Sequence, residues 1–217
     1  PYFKMINPKY GPARSDVFRY CVIYREGGVY LDLKSGTKVP LKEIIKNDDE
    51  YILSSWPEKY RKEQEGYEIP NTGFGELQQW HVIARPGHPF LKYLINNVIE
   101  KIKSYKIDSP YSQDGSSGYW KEKYGKEGVV ALTGPVIYTR TIYPLLSKYP
   151  NTFIKDNYNG NLIYDMFKNI PFTKEEEKKM KTRTFTAQQT GKHKHILSID
   201  TVHYSDLTEP IIIDQEN

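Results

Sequence analysis

Asp16 and Arg19 stand three positions apart within Ala13-Arg14-Ser15-Asp16-Val17-Phe18-Arg19-Tyr20. On a helix that spacing puts both on one face. Gly27-Gly28 follows, and then Val29-Tyr30-Leu31-Asp32-Leu33-Lys34. A double glycine stops a helix and lets the chain turn into a short strand that delivers Asp32 at its carboxyl end. In open α/β sheets the crevice beyond the carboxyl ends of the strands is where ligands bind. One segment of about 20 residues can therefore set a carboxylate, a guanidinium, a tyrosine and a second carboxylate around one pocket. The plainer alternatives are a helix-surface ion pair for Asp16 and Arg19, a turn cap for Asp32 and a solvated side chain for Lys34.

Those residues need elements to hold them. The spacing predicts a helix from about Arg14 to Glu26, with Phe18, Cys21, Val22 and the stem of Arg25 on its inward face. Val29 to Leu33 reads as a short buried strand, Pro40 to Lys46 as a short helix, and Tyr51 to Trp56 as a second strand. Glu58 to Glu68 is a charged loop. Leu77 to Ala84 is strand or mixed, and Phe90 to Tyr105 an amphipathic helix with Leu91, Leu94, Ile95, Val98, Ile99 and Ile102 inward. Pro89 suits its first turn. Ser109 to Gly128 reads as a polar loop, Val129 to Leu132 as a strand and Val136 to Lys148 as a helix. Lys174 to Lys181 suits a charged surface helix, and His195 to Ile199 and Pro210 to Ile213 suit strands. Strands alternating with helices indicate an α/β layered domain, and the short connections make its sheet mixed.

The block from Ala13 to Lys34 resembles the sugar-binding region of the DXD-containing glycosyltransferases of family 32, whose pattern is approximately A-R-S-D-x-x-R-Y, a spacer, then G-G-x-Y-x-D-x-D. Looser matches follow in order: Gln79-Trp80-His81-Val82-Ile83-Ala84, Pro86-Gly87-His88-Pro89, Thr133-Gly134-Pro135 and His203-Tyr204-Ser205. The resemblance implies a GT-A-like fold, a nucleotide-diphosphate sugar (UDP- or GDP-sugar) as donor, a glycan or other hydroxyl acceptor, and retention of anomeric configuration. It also implies roles. Asp16 and Arg19 would bond the donor sugar's hydroxyls and Tyr30 would lie near the nucleotide. Asp32 would lie near the ribose and the metal diphosphate, Gln79 near the donor sugar, and His203 would help to bind metal or phosphate.

Two departures qualify the match. The second acid of the DXD pair is Lys34. An acidic pair holds a hard divalent cation, manganese or magnesium, that stabilises the departing diphosphate. An ammonium ligates no metal but neutralises phosphate oxygens directly. Asp32 and Lys34 are accordingly the candidate catalytic residues. Three arrangements are open: Lys34 replaces part of the metal's role, Asp32 and His203 still hold a metal while Lys34 points elsewhere, or the site is inactive. The second departure is length. Only Pro1 to Pro12 precede the block, whereas the family begins with a strand and a base-binding segment. The expectation is one catalytic domain over residues 1–217 lacking that N-terminal strand, with a non-catalytic sugar- or nucleotide-binding module as the alternative.

Composition narrows the classes. The 217 residues carry 31 basic and 27 acidic side chains, a formal charge of +4. That falls short of the dense basic stripe that nucleic acid requires. No apolar run is long enough for a membrane span. With one cysteine, Cys21, no internal disulfide is available, which fits a reducing compartment. The expected location is cytoplasmic or peripheral to a membrane. Cys21 reads as a core residue, His88 as a turn stabiliser, and His81 as core or pocket. His193 and His195 read as parts of a surface strand. Trp80 and Trp120 are candidates to stack on sugar rings, with Trp120 favoured for the acceptor. No Ser-His-Asp or Cys-His arrangement stands out, consistent with transfer that needs no enzyme nucleophile.

Overall fold

The computed structural model describes residues 1–57, 72–105, 125–154, 157, 159–164 and 202–213. The loop expected at Glu58 to Glu68, the helix at Lys174 to Lys181, the strand at His195 to Ile199, His193 and Trp120 lie outside them.

The elements in chain order are α1 (Tyr2–Met5), α2 (Gly11–Glu26), β1 (Gly28–Leu31), β2 (Gly36–Thr37), α3 (Leu41–Ile44), β3 (Tyr51–Ser54), β4 (His81–Ala84), α4 (Pro89–Ser104), α5 (Gly125–Leu132), α6 (Pro135–Ile142), β5 (Thr152–Ile154) and β6 (Leu162–Ile163), with 3-10 turns at Tyr143–Leu145 and Tyr204–Asp206. A four-stranded mixed sheet runs β1-β4-β3-β5, and β2 and β6 form a separate ribbon. β4 is antiparallel to both β1 and β3, whereas β3 and β5 are parallel. Strands β1, β3 and β5 therefore run the same way, and their carboxyl ends share one edge of the sheet.

Alternation along the strands divides the core into two layers. Tyr51, Leu53, Val82 and Ala84 face the helices α2, α4, α5 and α6, in a cluster with Tyr20, Ile23, Leu91, Leu94, Val98, Ile137 and Tyr138. Ile52, Ile83, Trp80 and Leu162 face the other way, against Val29, Leu31, Ile45, Trp56 and Tyr164. Tyr30 belongs with the helix layer. This observed α/β architecture, a mixed sheet flanked by helices, agrees with a GT-A-like arrangement.

Several expectations need correction. Helix α2 does not bury the stripe that its apolar residues suggest: Phe18 is 58% and Val22 36% exposed, Cys21 is exposed, and so is Arg25. The buried face is Ala13, Asp16, Arg19, Tyr20 and Ile23, because its charges pair with each other and with β1. The run Val129 to Leu132 is the end of α5 rather than a strand, and residues 125–128, expected in a loop, are its start. Strand β1 is shorter than expected and half-buried, and Leu33 is 83% exposed in the turn beyond it. Near the end of the described chain, Ile212 makes an isolated bridge with Ile6 in place of a strand. Helix α4 runs almost as expected, burying Leu91, Leu94, Val98 and Ile102.

The junction of α2 and β1 depends on Gly27. It adopts φ 69° and its N–H closes the helix on the Ile23 carbonyl at 2.9 Å. A Cβ there would meet Pro86 Cδ at 2.6 Å and Pro86 N at 2.8 Å. A positive φ and close contact with another backbone both demand glycine.

Candidate functional site

Arg19 is the hub. Its Nη2 pairs with Asp16 Oδ1 at 2.9 Å, and its Nη1 with Asp32 Oδ1 at 3.1 Å. Nη1 also donates to the Gln79 carbonyl at 2.8 Å, and the guanidinium lies 4.6 Å from the Tyr30 ring centroid. Tyr30 donates from its hydroxyl to Asp32 Oδ1 at 3.1 Å. The strand's two-residue period explains this: Tyr30 and Asp32 leave β1 on the face that α2 covers. The Asp32 N–H donates to the Trp80 carbonyl at 2.8 Å, extending the β1-β4 ladder by one residue. Asp16, Arg19, Tyr30, Asp32 and Gln79 are thus brought together.

Two residues that sequence reasoning did not assign complete the cluster. Thr133 Oγ1 donates to Asp16 Oδ2 at 2.9 Å. The Tyr20 hydroxyl lies 2.9 Å from Gln79 Oε1 and 2.8 Å from the Thr133 carbonyl. The only signals for them were the Thr133-Gly134-Pro135 match and the tyrosine that ends the first block.

Depth separates the roles. Asp16 is 2% and Arg19 5% exposed, while the Asp32 side chain is 25% exposed. Among the described residues Asp32 Oδ2 takes no hydrogen bond, so this oxygen is the one best placed to meet a ligand. Buried Arg19 Nε also has no partner among the described residues.

Burial pushes the Asp16 carboxyl up to about 6, against the opposing pull of Arg19 and the hydrogen bonds from Thr133 and Gln79. Burial works against the charge on Arg19, but Asp16 and Asp32 together raise its pKa. A carboxyl whose folded pKa exceeds its unfolded value gives stability that is complete below the unfolded value and lost as pH rises through about 6. The ion pair with Arg19 needs the ionised form, so site order gains where that stability is lost. Donor binding should fall as pH drops through about 6, and Asp16→Asn should be weak and flat across that range. Titration of nucleotide binding from pH 5 to 8 checks this; an inflection surviving in Asp16→Asn would assign it elsewhere.

The turn after Asp32 places Lys34. The Ser35 N–H donates to the Asp32 carbonyl at 2.8 Å, and this turn carries Lys34 to the opposite layer. There its ammonium lies 4.3 Å from the Tyr164 ring centroid. His203 precedes the turn Tyr204–Asp206, where its Nδ1 accepts from the Ser205 N–H at 3.2 Å and also contacts the Ser205 hydroxyl. That turn packs on α5. No group of three or more His, Cys, Asp or Glu among the described residues is arranged to hold a metal ion. A single carboxylate oxygen of Asp32, with an ammonium where the second acid would stand, does not by itself fit a divalent cation.

His88 acts as the expected turn stabiliser: its Nδ1 accepts from the Phe90 N–H at 3.2 Å at the start of α4. His81 is fully buried, and burial pushes its pKa down to about 3, so it is neutral.

Residues 2–51 match the family described as a glycosyltransferase sugar-binding region containing a DXD motif. That match supports a DXD-type glycosyltransferase region in this part of the chain. It is similar to HOC1 of Saccharomyces cerevisiae, at 24% identity over 71% of this chain and 37% of that protein. It is similar also to the initiation-specific alpha-1,6-mannosyltransferases of Schizosaccharomyces pombe, at 27% identity over 66% of this chain and 34% of the relative, and of Candida albicans, at 26% over 62% and 35%. The chain spans about a third of the length of these relatives. No solved structure matches it significantly, and no helix among the described residues is long and apolar enough to cross a membrane.

Proposed function

We propose that this chain is the donor-binding core of a retaining glycosyltransferase that moves a hexosyl unit from a nucleotide-diphosphate sugar to a hydroxyl of a glycan. The observation that supports this reading most is Asp32, a quarter exposed at the carboxyl edge of the sheet and fixed through its Oδ1 by Arg19 and Tyr30. The matching family region, and two relatives named as mannosyltransferases, support the same reading and make mannose the first sugar to test.

In this reaction the bond between the anomeric carbon and the phosphate oxygen breaks, and the diphosphate leaves with the electron pair. The acceptor oxygen bonds to the anomeric carbon from the same face, and its proton passes to an oxygen of the departing phosphate. The protein's task is to position both partners and to neutralise the leaving charge. In the proposed division of labour, Asp32 receives the ribose or diphosphate region while Asp16, Arg19 and Gln79 hold the wall behind it and line the donor-sugar side. Tyr30 borders the nucleotide. Lys34 supplies positive charge to the diphosphate in place of the second acid. A divalent ion, if used, would be carried chiefly by the donor's phosphates, with Asp32 and His203 as the protein groups to test.

The deciding experiment is donor hydrolysis across UDP- and GDP-sugars, with and without EDTA. The expected result is turnover of one donor class that EDTA leaves intact and that Lys34→Ala lowers about tenfold or more, the scale of a lost charge-assisted contact. Hydrolysis abolished by EDTA and restored by manganese, with Lys34→Ala unaffected, would return the role to a metal.

A further inference from the structure

Lys34 sits in the turn between Asp32 and Ser35, two residues before Gly36, and carries a long, flexible side chain. The stretch that holds residues 157 and 159–164 contacts it. Its strand β6 pairs with β2, immediately beyond the Lys34 turn, in the register Gly36↔Ile163 and Thr37↔Leu162. The Lys38 N–H donates to the Asn161 carbonyl at 2.9 Å. Asn161 adopts φ 61°, and Asn157 Nδ2 donates to the Leu162 carbonyl at 2.8 Å.

A buried polar chain ties that segment to the sheet. Gln78 Nε2 donates to Asn157 Oδ1 at 3.1 Å, and the Ser54 hydroxyl donates to Gln78 Oε1 at 2.5 Å. His81 Nε2 lies 2.6 Å from the same hydroxyl. With the Ser54 proton committed to Gln78, neutral His81 is the donor there. All four side chains are essentially inaccessible, Gln78 at 1% and the others at 0%. Connected networks of this kind fix geometry, because breaking one member strands the others; buried His81 Nδ1 has no partner among the described residues.

What the segment presents is the ring of Tyr164. It stands 5.4 Å from the Trp80 ring and edge-on to Trp56 at 5.3 Å. Its face takes the Lys34 ammonium at 4.3 Å. Trp80 is the residue whose carbonyl holds the Asp32 N–H. The lysine and the carboxylate are therefore referenced to the same residue of the sheet, one through an aromatic contact and one through a backbone hydrogen bond.

We infer that Tyr164 is a positioning residue for diphosphate binding: its ring holds the Lys34 ammonium, in the turn that follows Asp32, as a fixed counter-charge for the phosphates of a nucleoside diphosphate. This rests on the reading of Lys34 given above. An ammonium on an aromatic face keeps its charge while losing rotamer freedom. The cost of ordering the lysine is thus met before the ligand arrives.

The test is the affinity of the chain for UDP and for GDP in EDTA, measured by titration calorimetry. Whichever nucleotide binds the wild type should bind Lys34→Ala about tenfold or more weakly. Tyr164→Leu should weaken binding about three- to tenfold, the scale of a cation–π contact. The double variant should be no weaker than Lys34→Ala alone. Phenylalanines of increasing ring fluorination at position 164 keep the shape and drain the ring's negative face, so affinity should decline in step with fluorination. That series also serves if Tyr164→Leu does not fold. Additive losses in the double variant, or an affinity indifferent to fluorination, would overturn the role of Tyr164 while leaving Lys34 in place. Lys34→Ala binding like wild type, or a wild-type chain that binds neither nucleotide, would overturn the reading of Lys34 and this inference with it.

Discussion

Arg19→Met is expected to abolish donor hydrolysis and to destabilise the fold by about 3–5 kcal/mol, the range found when one partner of a buried ion pair is removed. Arg19 is 5% exposed and serves Asp16, Asp32 and the Gln79 carbonyl at once. Without it buried Asp16 and the partly exposed Asp32 stand together with no counter-charge. Asp16 already holds its proton up to about 6 with Arg19 present, so the variant should recover stability as the pH is lowered. Adding Asp16→Asn removes one stranded charge and should restore most of the stability without restoring turnover. Denaturant unfolding of the two variants beside donor hydrolysis separates these effects. An Arg19→Met chain as stable and as active as wild type would remove the hub from both fold and function.

Asp32→Ala should behave in the opposite way. Its side chain is 25% exposed and only its Oδ1 is used by Arg19 and Tyr30. Losing a partly exposed partner of an arginine that keeps another should cost about 1 kcal/mol, the centre of the range for point substitutions. Arg19 keeps Asp16 at 2.9 Å, so its charge stays paired. Donor hydrolysis, by contrast, should fall about 10²–10³-fold, the effect of removing one preorganised electrostatic group. Steady-state hydrolysis and a melting curve on the same preparation read both. Wild-type turnover in Asp32→Ala would place the chemistry elsewhere.

The site was legible because its residue types are unusual and its punctuation is local. Asp16 and Arg19 at helical spacing, a double glycine, and an aspartate two residues after a tyrosine announce themselves without any long-range information. The helix face was misread for the converse reason. Hydrophobic periodicity assigns Phe18, Cys21 and Val22 inward, since it cannot know that Asp32 and Thr133 wait to satisfy charged residues on the other side. A polar face becomes a buried face only when its partners arrive from elsewhere in the chain. Val129 to Leu132 was ambiguous in another way, because a short apolar run fits a buried strand as well as a helix end. The close approach of Gly134 to Val129 and Val130 belongs to a helix–helix corner, where an added Cβ would meet Val130 Cα at 2.8 Å. The place of Lys34 was also out of reach: strand alternation would align it with Asp32, and only the turn at Ser35 sends it to Tyr164.

The hub around Arg19 has a thermodynamic consequence. Its contacts join residues 60 positions apart, from Arg19 to Gln79, and 117 apart, from Asp16 to Thr133. Closing such loops costs entropy that only the finished chain repays. A partly folded molecule thus holds the right residues but not their arrangement, and has nothing with which to grip a nucleotide. A ligand bound there must favour the native population alone, raising the melting temperature with the logarithm of its concentration above Kd. Nucleotide in an expression or storage buffer would then act as a conformational selector, enriching molecules in which distant parts of the sequence have already met.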